Sequence, residues 1–244
     1  HVGALIYYAL VGPLAGVRSH LWRFVLLGFV LCSFWVLSSP VLAASVGRIY
    51  GQLLDGSKKN APLAGQSVTL QMARGNTAID VASVKTDGQG TYTFANLPTD
   101  KSISYVVYMR YQGAQYISNI VNLASKPVQP LNLTVYEAMS STANMAVARA
   151  TILLHKPDMQ RGIISVSELY IFRNLDTHTY VGSLDASHGK PNALRFSLPH
   201  TATNVSLGKG FDSYRAIEVN SGIATDAAVP PGDSQFAFTF DMPY

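Results

Sequence analysis

Cysteine is nearly missing from this chain: Cys32 is the single one in 244 residues. It lies in a stretch read below as a removable leader, so the rest can hold no disulfide. Stability must then come from burial, which two modules of roughly 90–105 residues can supply. Tryptophan is also confined to that leader, as Trp22 and Trp35, so no indole is left downstream to stack on a ligand. Charge is sparse at 13%. From Ser45 onward 16 Lys and Arg face 14 Asp and Glu, a balance of +2, and the only adjacent cations are Lys58 and Lys59. A nucleic-acid partner would call for a clustered basic face, which excludes that class.

Reactive motifs are missing too. The chain has no His-Glu-x-x-His, Gly-x-Ser-x-Gly, P-loop or Cys-x-x-Cys, and no His has Glu three residues on. Gly88-Gln89-Gly90 and Gly208-Lys209-Gly210 are too short for dinucleotide fingerprints and neither opens a helix, so no cofactor is expected. His155, His178, His188 and His200 are widely spaced with no carboxylate cluster, so no metal site is expected either. The sequons at Asn132 and Asn204 matter only in a eukaryotic secretory host.

What the N-terminus does contain is a basic leader, Val17 to Arg23, and an apolar run of 14 residues, Phe24–Leu37. That run is short for a membrane span. Ser38-Ser39-Pro40 breaks it, and Val41-Leu42-Ala43 offers the small residues a signal peptidase reads. Residues 1–44 are therefore expected to be an export signal cleaved after Ala43 or Ala44, the alternative being an uncleaved anchor helix. Residues 1–16 are either an upstream extension or the tail of a longer membrane segment. Leu31 before Cys32 argues against a lipoprotein. The location implied is extracytoplasmic.

The remainder reads as strands. The stretch Thr86 to Leu97 is the anchor of the reading: Asp87-Gly88 and Gly90 suit a tight reversal, followed by Tyr92 and Phe94 on one face and Thr91, Thr93 and Ala95 on the other. With Ile79–Val84 upstream, this predicts a β-hairpin. Ile49, Gly51 and Leu53 alternate with Arg48, Tyr50 and Gln52. Val68, Leu70 and Met72 mark another strand, as do Ile103 to Tyr111, Tyr116 to Leu123, and Leu131, Leu133 and Val135. Seven short strands with regular turn signals predict a sandwich over residues 46–137.

The motifs Gly47-x-Ile49-x-Gly51-x-Leu53, Pro62-Leu63-Ala64-Gly65-x-x-Val68-x-Leu70 and Thr86-Asp87-x-x-Gly90-x-Tyr92-x-Phe94-x-x-Leu97 occur in order. In these, residues 46–136 resemble the carboxypeptidase regulatory-like domain. The resemblance implies a seven-stranded transthyretin-like Greek-key sandwich and a non-catalytic accessory module, of a type grouped with carbohydrate-binding-like folds. Collagen-adhesin B-type repeats are similar, but the first strand here has Arg48 and no Lys, so their isopeptide bond is not predicted.

Met139 to Asn144 reads as a polar hinge, and residues 140–244 as a second β-sandwich. Its strands are expected at Thr151–His155, Ile163–Arg173, Tyr180–Gly182, Leu194–Leu198, around Val205, Ile217, Val219 and Ile223, and through Phe236, Phe238 and Phe240, with a loop at Asp185–Asn192. The chain stops at Tyr244 without a closing polar segment, so the natural C-terminus is expected further on, where a membrane anchor could follow.

The fold class expected is thus all-β, two sandwiches in tandem. The function expected is recognition of a cell-surface or extracellular protein or glycan by loops or a sheet edge. For glycan binding, Tyr50, Tyr108 and Tyr116 are the candidate stacking residues, against their ordinary role as cross-strand pairs. A small hydrolase is the other alternative, and it needs a Ser–His pair within reach in a cleft.

Overall fold

The alternation around Ile49 builds the first strand. In the computed structural model, which describes residues 46–183 and 192–244, β1 runs Gly47–Asp55 with every odd residue buried. The leader and His188 lie outside the described residues. The chain continues through β2 (Ala61–Pro62), β3 (Ser67–Arg74), β4 (Thr77–Lys85), β5 (Thr91–Leu97), β6 (Ile103–Tyr111), β7 (Ala114–Ile117), β8 (Val128–Pro130) and β9 (Leu133–Val135). One sheet has β1 at its centre, with β5 and β2 antiparallel on one edge and β8 and β9 parallel on the other. The facing sheet runs β4-β3-β6-β7. Between them lie Ile49, Leu53, Val68, Leu70, Tyr92, Phe94, Tyr105, Val107 and Leu133, all buried.

Two expectations are corrected here. Thr86–Gly90 does not close a hairpin: β4 pairs with β3, while β5 pairs with β1 in the other sheet. The turn is an arch between layers, pinned by Thr86, whose hydroxyl donates to the Leu63 carbonyl (2.8 Å) and accepts from Gln66 N–H (3.0 Å). Asp87 fastens the far side, accepting from the N–H groups of Gln89 (2.9 Å) and Thr91 (2.8 Å) and from the Thr91 hydroxyl. Those bonds favour the ionised carboxylate and hold its pKa below the usual range. The segment expected at Tyr116–Leu123 is also shorter. After Ile117 only a single bridge, Val121 to Tyr105, continues it.

Gly90 carries the arch and Gly88 does not. Gly90 has φ +70°, and a Cβ there would stand 2.6 Å from the Leu53 carbonyl oxygen. Gly88 has no positive φ and nothing within 4 Å of a built Cβ. Gly90→Ala should therefore cost about 1–3 kcal/mol, and Gly88→Ala less than about 0.5 kcal/mol. Urea unfolding of both checks this; equal losses would show the arch to be misplaced.

The second half contains β10 (Ala138–Met139), β11 (Met145–Leu154), β12 (Ile163–Asn174), β13 (Thr179–Tyr180), β14 (Leu194–Ser197), β15 (Thr203–Leu207), β16 (Ala216–Val219), β17 (Gly222–Thr225) and β18 (Gly232–Pro243). A sheet ordered β11-β12-β18-β15 packs an aromatic face against a sheet ordered β14-β17-β16. Phe196, Phe211, Phe236, Phe238 and Phe240 fill that core, helped by Val166 and Ile223.

Met139–Asn144 is not a free hinge. Met139 pairs in parallel with Tyr180, and Asn144 accepts from Leu175 N–H and donates its amide to Asp176. Residues 45–244 form one compact unit. The halves are tied by Thr179 N–H to the Glu137 carbonyl (2.8 Å), Ser57 hydroxyl to the Thr177 carbonyl (2.8 Å) and Gln115 N–H to the Tyr214 hydroxyl (2.9 Å).

Candidate functional site

The three candidate tyrosines do not form one platform. Tyr50 lies on the outer face of the β1 sheet, 40% exposed, with the Arg48 guanidinium 5.3 Å from its ring centroid. Tyr108 lies on the outer face of the other sheet, and its hydroxyl donates to Asp80 (2.7 Å), which raises the phenol pKa. The outer faces of a two-layer sandwich point apart, so the two rings cannot share a ligand.

Tyr116 is the clearest correction, being only 7% exposed. Its hydroxyl bonds Thr179 Oγ1 (2.7 Å) and the Tyr136 carbonyl (3.1 Å) across the seam between the halves. Burial pushes its pKa up to about 12. Position 116 falls on the inward side of β7, so the ring has no free face for a sugar.

Among the described residues no group of three or more His, Cys, Asp or Glu is gathered for a metal. His178 sits between Asp176 (2.9 Å) and Glu137 (3.9 Å) at the seam, and Glu137 also holds Lys58. The Lys58 pKa is raised, first by that hydrogen bond and then by the charge of the same carboxylate. This exposed network ties β10 to its neighbours and adds little stability.

One Ser–His pair within reach does exist. His155 Nε2 lies 2.7 Å from Ser167 Oγ, beside a shallow hollow of about 420 Å³ lined by Thr151, Leu153, Ser167, Leu169, Ala237 and Thr239. It lacks the parts acyl transfer needs. Ser167 sits mid-strand in β12, paired on both sides, so the ladder occupies the N–H groups that would otherwise bind an oxyanion. Among the described residues no carboxylate bonds the other ring nitrogen of His155.

What stands open is an edge. Among the described residues β11 ends its sheet, and nine of its ten residues are exposed, Met145 being half-buried. His155 N–H bonds the Ser165 carbonyl and Leu175 N–H bonds the Asn144 carbonyl, each at 2.9 Å. Antiparallel alternation then turns the main-chain groups of Arg149, Thr151 and Leu153 toward β12. Those of Ala150, Ile152 and Leu154 face outward, and the register shift after Val147 adds that residue to the outward set. The same residues place their side chains on the core side of the sheet, opposite Phe172, Tyr170, Glu168 and Val166. Yet Val147, Ile152 and Leu154 are 55%, 61% and 61% exposed, because the opposing sheet stops short of them.

The other long exposed edge, β4, is guarded. Thr86 N–H bonds Gln66 (2.9 Å), so alternation leaves Ser83 and Lys85 facing outward, with Asp80 exposed nearby. β11 has Arg149 as its single charge and no proline. Sequence reading marked only Thr151–His155 and missed this edge. The signal was available: Met145–Leu154 is apolar almost throughout, without the polar alternation of a strand covered on one face.

Among the described residues the fold is therefore all-β, of layered sheets, with an unguarded apolar edge at β11. No protein-family model and no curated protein matches the chain. Among solved structures, it is similar to a DUF3823 family protein from Parabacteroides merdae (13% identity, 79% of each chain covered, TM-score 0.28). It is also similar to two major pilins of Corynebacterium diphtheriae. These are SpaA (12% identity, 81% of this chain and 58% of that one, TM-score 0.26) and SpaD (13%, 81% and 57%, TM-score 0.26). The chain spans less than two thirds of the length of those pilins.

Proposed function

We propose that this chain is an exported, non-catalytic binding module that captures an extended segment of a cell-surface or extracellular protein by strand addition to β11. The observation that carries the reading is the free edge itself, with outward main-chain groups and exposed apolar side chains on the same residues. Added main-chain bonds supply affinity, and alternate side chains supply selectivity. The carboxypeptidase regulatory-like assignment of residues 46–136 is part of the proposal. It is supported by the motif glycines at close approaches, Gly51 under the Leu131 carbonyl and Gly90 under the Leu53 carbonyl. Export is supported by the basic leader and the apolar run Phe24–Leu37.

Hydrogen exchange on the full chain tests this, with a short synthetic peptide of alternating valine and threonine as probe. The peptide should slow exchange at Ala150, Ile152 and Leu154, and Ile152→Lys should weaken its binding about tenfold. No protection along β11 at saturating peptide would remove the reading. Binding to a glycan instead, lost on Tyr108→Ala with the melting temperature unchanged, would replace it with the carbohydrate-binding alternative.

A further inference from the structure

The strand-capture reading leaves the occupant of β11 open, and on that reading we infer that one occupant is a second copy of this chain. Two β11 strands would pair antiparallel about a two-fold axis through Ile152. A two-fold normal to a sheet keeps corresponding faces on the same side, and antiparallel partners directly opposite share a face. Self-pairing therefore joins the apolar row to itself. With Ile152 on the axis, Ala150 lies opposite Leu154 of the other copy and Thr151 opposite its Leu153. The outward N–H and C=O groups of residues 150, 152 and 154 all find partners.

Charge permits this register. Arg149, the single charge of the strand, falls opposite His155 of the other copy and not opposite itself, so the two arginines are not set against each other. The net charge near zero from Ser45 onward adds little long-range repulsion between copies. The edge of β4 is a poorer occupant. Its outward groups belong to Ser83 and Lys85, and hydrogen-bonded pairing would set those side chains in line with Ile152 and Leu154. A register shift at Val147 limits regular pairing to about one short strand, so the dimer should be weak and reversible.

The test uses the full chain with Cys32→Ser as background, so that an introduced cysteine is the sole thiol. Hydrogen-bonded antiparallel partners sit with Cα atoms about 5.5 Å apart, inside the range a disulfide spans. Ile152→Cys should give a cross-linked dimer under mild oxidation at least about tenfold faster than Val128→Cys, an exposed site on β8. In sedimentation, the parent chain should associate with rising concentration, and Ile152→Lys should weaken that about tenfold. Equal cross-linking at both positions, or association indifferent to Ile152→Lys, overturns self-pairing. A monomeric chain whose β11 amides are still protected by the valine–threonine peptide rejects the second copy and keeps strand capture. A monomer that also ignores the peptide rejects both.

Discussion

Alanine at position 51 is expected to destabilise the first sandwich by about 3 kcal/mol or more, a large part of the margin by which a domain of this size holds together. A Cβ on Gly51 would lie 1.8 Å from the Leu131 carbonyl oxygen and 2.7 Å from the Tyr92 hydroxyl. The first of these is backbone, and it is held in place. Leu131 N–H bonds the Tyr50 carbonyl (2.8 Å), its carbonyl accepts from Tyr92, and the next residue, Asn132, takes Gln52 N–H on its side chain (3.0 Å). The clash can be relieved only by moving the β8–β9 segment off β1, which breaks those bonds and uncovers Leu131 and Leu133. Urea unfolding with tyrosine fluorescence measures the loss. A Gly51→Ala chain within about 0.5 kcal/mol of the parent would mean that β8 and β9 do not lie against β1 as described.

The same glycine shows what could be read without coordinates. Alternation at Ile49, Gly51 and Leu53 placed position 51 inward. The strand and turn pattern placed it in a β-sandwich, but nothing in the sequence says which backbone crosses it. The strands with one buried face were legible because period-2 patterning survives wherever burial is one-sided. Val68, Leu70, Tyr92, Phe94, Phe236, Phe238 and Phe240 all face the cores they were expected to face. The hairpin at Asp87 was misread because local turn chemistry is the same for a hairpin and an arch. Which sheet β4 joins is decided by Ser67–Arg74, already paired with it through the Gly75-Asn76 turn.

The candidate site was less legible for a related reason. Tyr50 and Tyr108 were placed on outer faces correctly by alternation. That two outer faces of a sandwich point apart is a fact of topology that no single strand records. Tyr116 was misjudged because it falls on the inward side of β7, in the first core, and its hydroxyl is taken by Thr179, 63 positions distant in sequence. The β11 edge went unnoticed because apolar residues usually signal burial. Here Ile152 and Leu154 continue the core face beyond the end of the sheet that should cover them. The missing polar alternation of Met145–Leu154 marks the strand as unusual, and sheet order then shows that the strand is an edge.

Phe238→Ala should cost about 3–5 kcal/mol, the range for emptying an aromatic ring from a filled core. The ring is 2% exposed. It stands 5.4 Å from Phe196, 6.1 Å from Tyr170, 6.3 Å from Phe211 and 6.5 Å from Phe240, centroid to centroid. Phe238 is thus a shared neighbour of residues from both sheets, and its loss opens a cavity that β12 and β18, paired along their full lengths, cannot close by sliding. Leucine at the same position keeps part of the volume and should cost less than alanine. The adjacent Thr239 points to the opposite face beside the hollow, so Thr239→Ala should stay within about 0.5 kcal/mol. The difference between positions 238 and 239 in urea unfolding is then a direct readout of strand register. If the two substitutions cost the same, β18 does not present its phenylalanines to the core, and the apolar row of β11, which takes its face from the same ladder, loses its assignment as well.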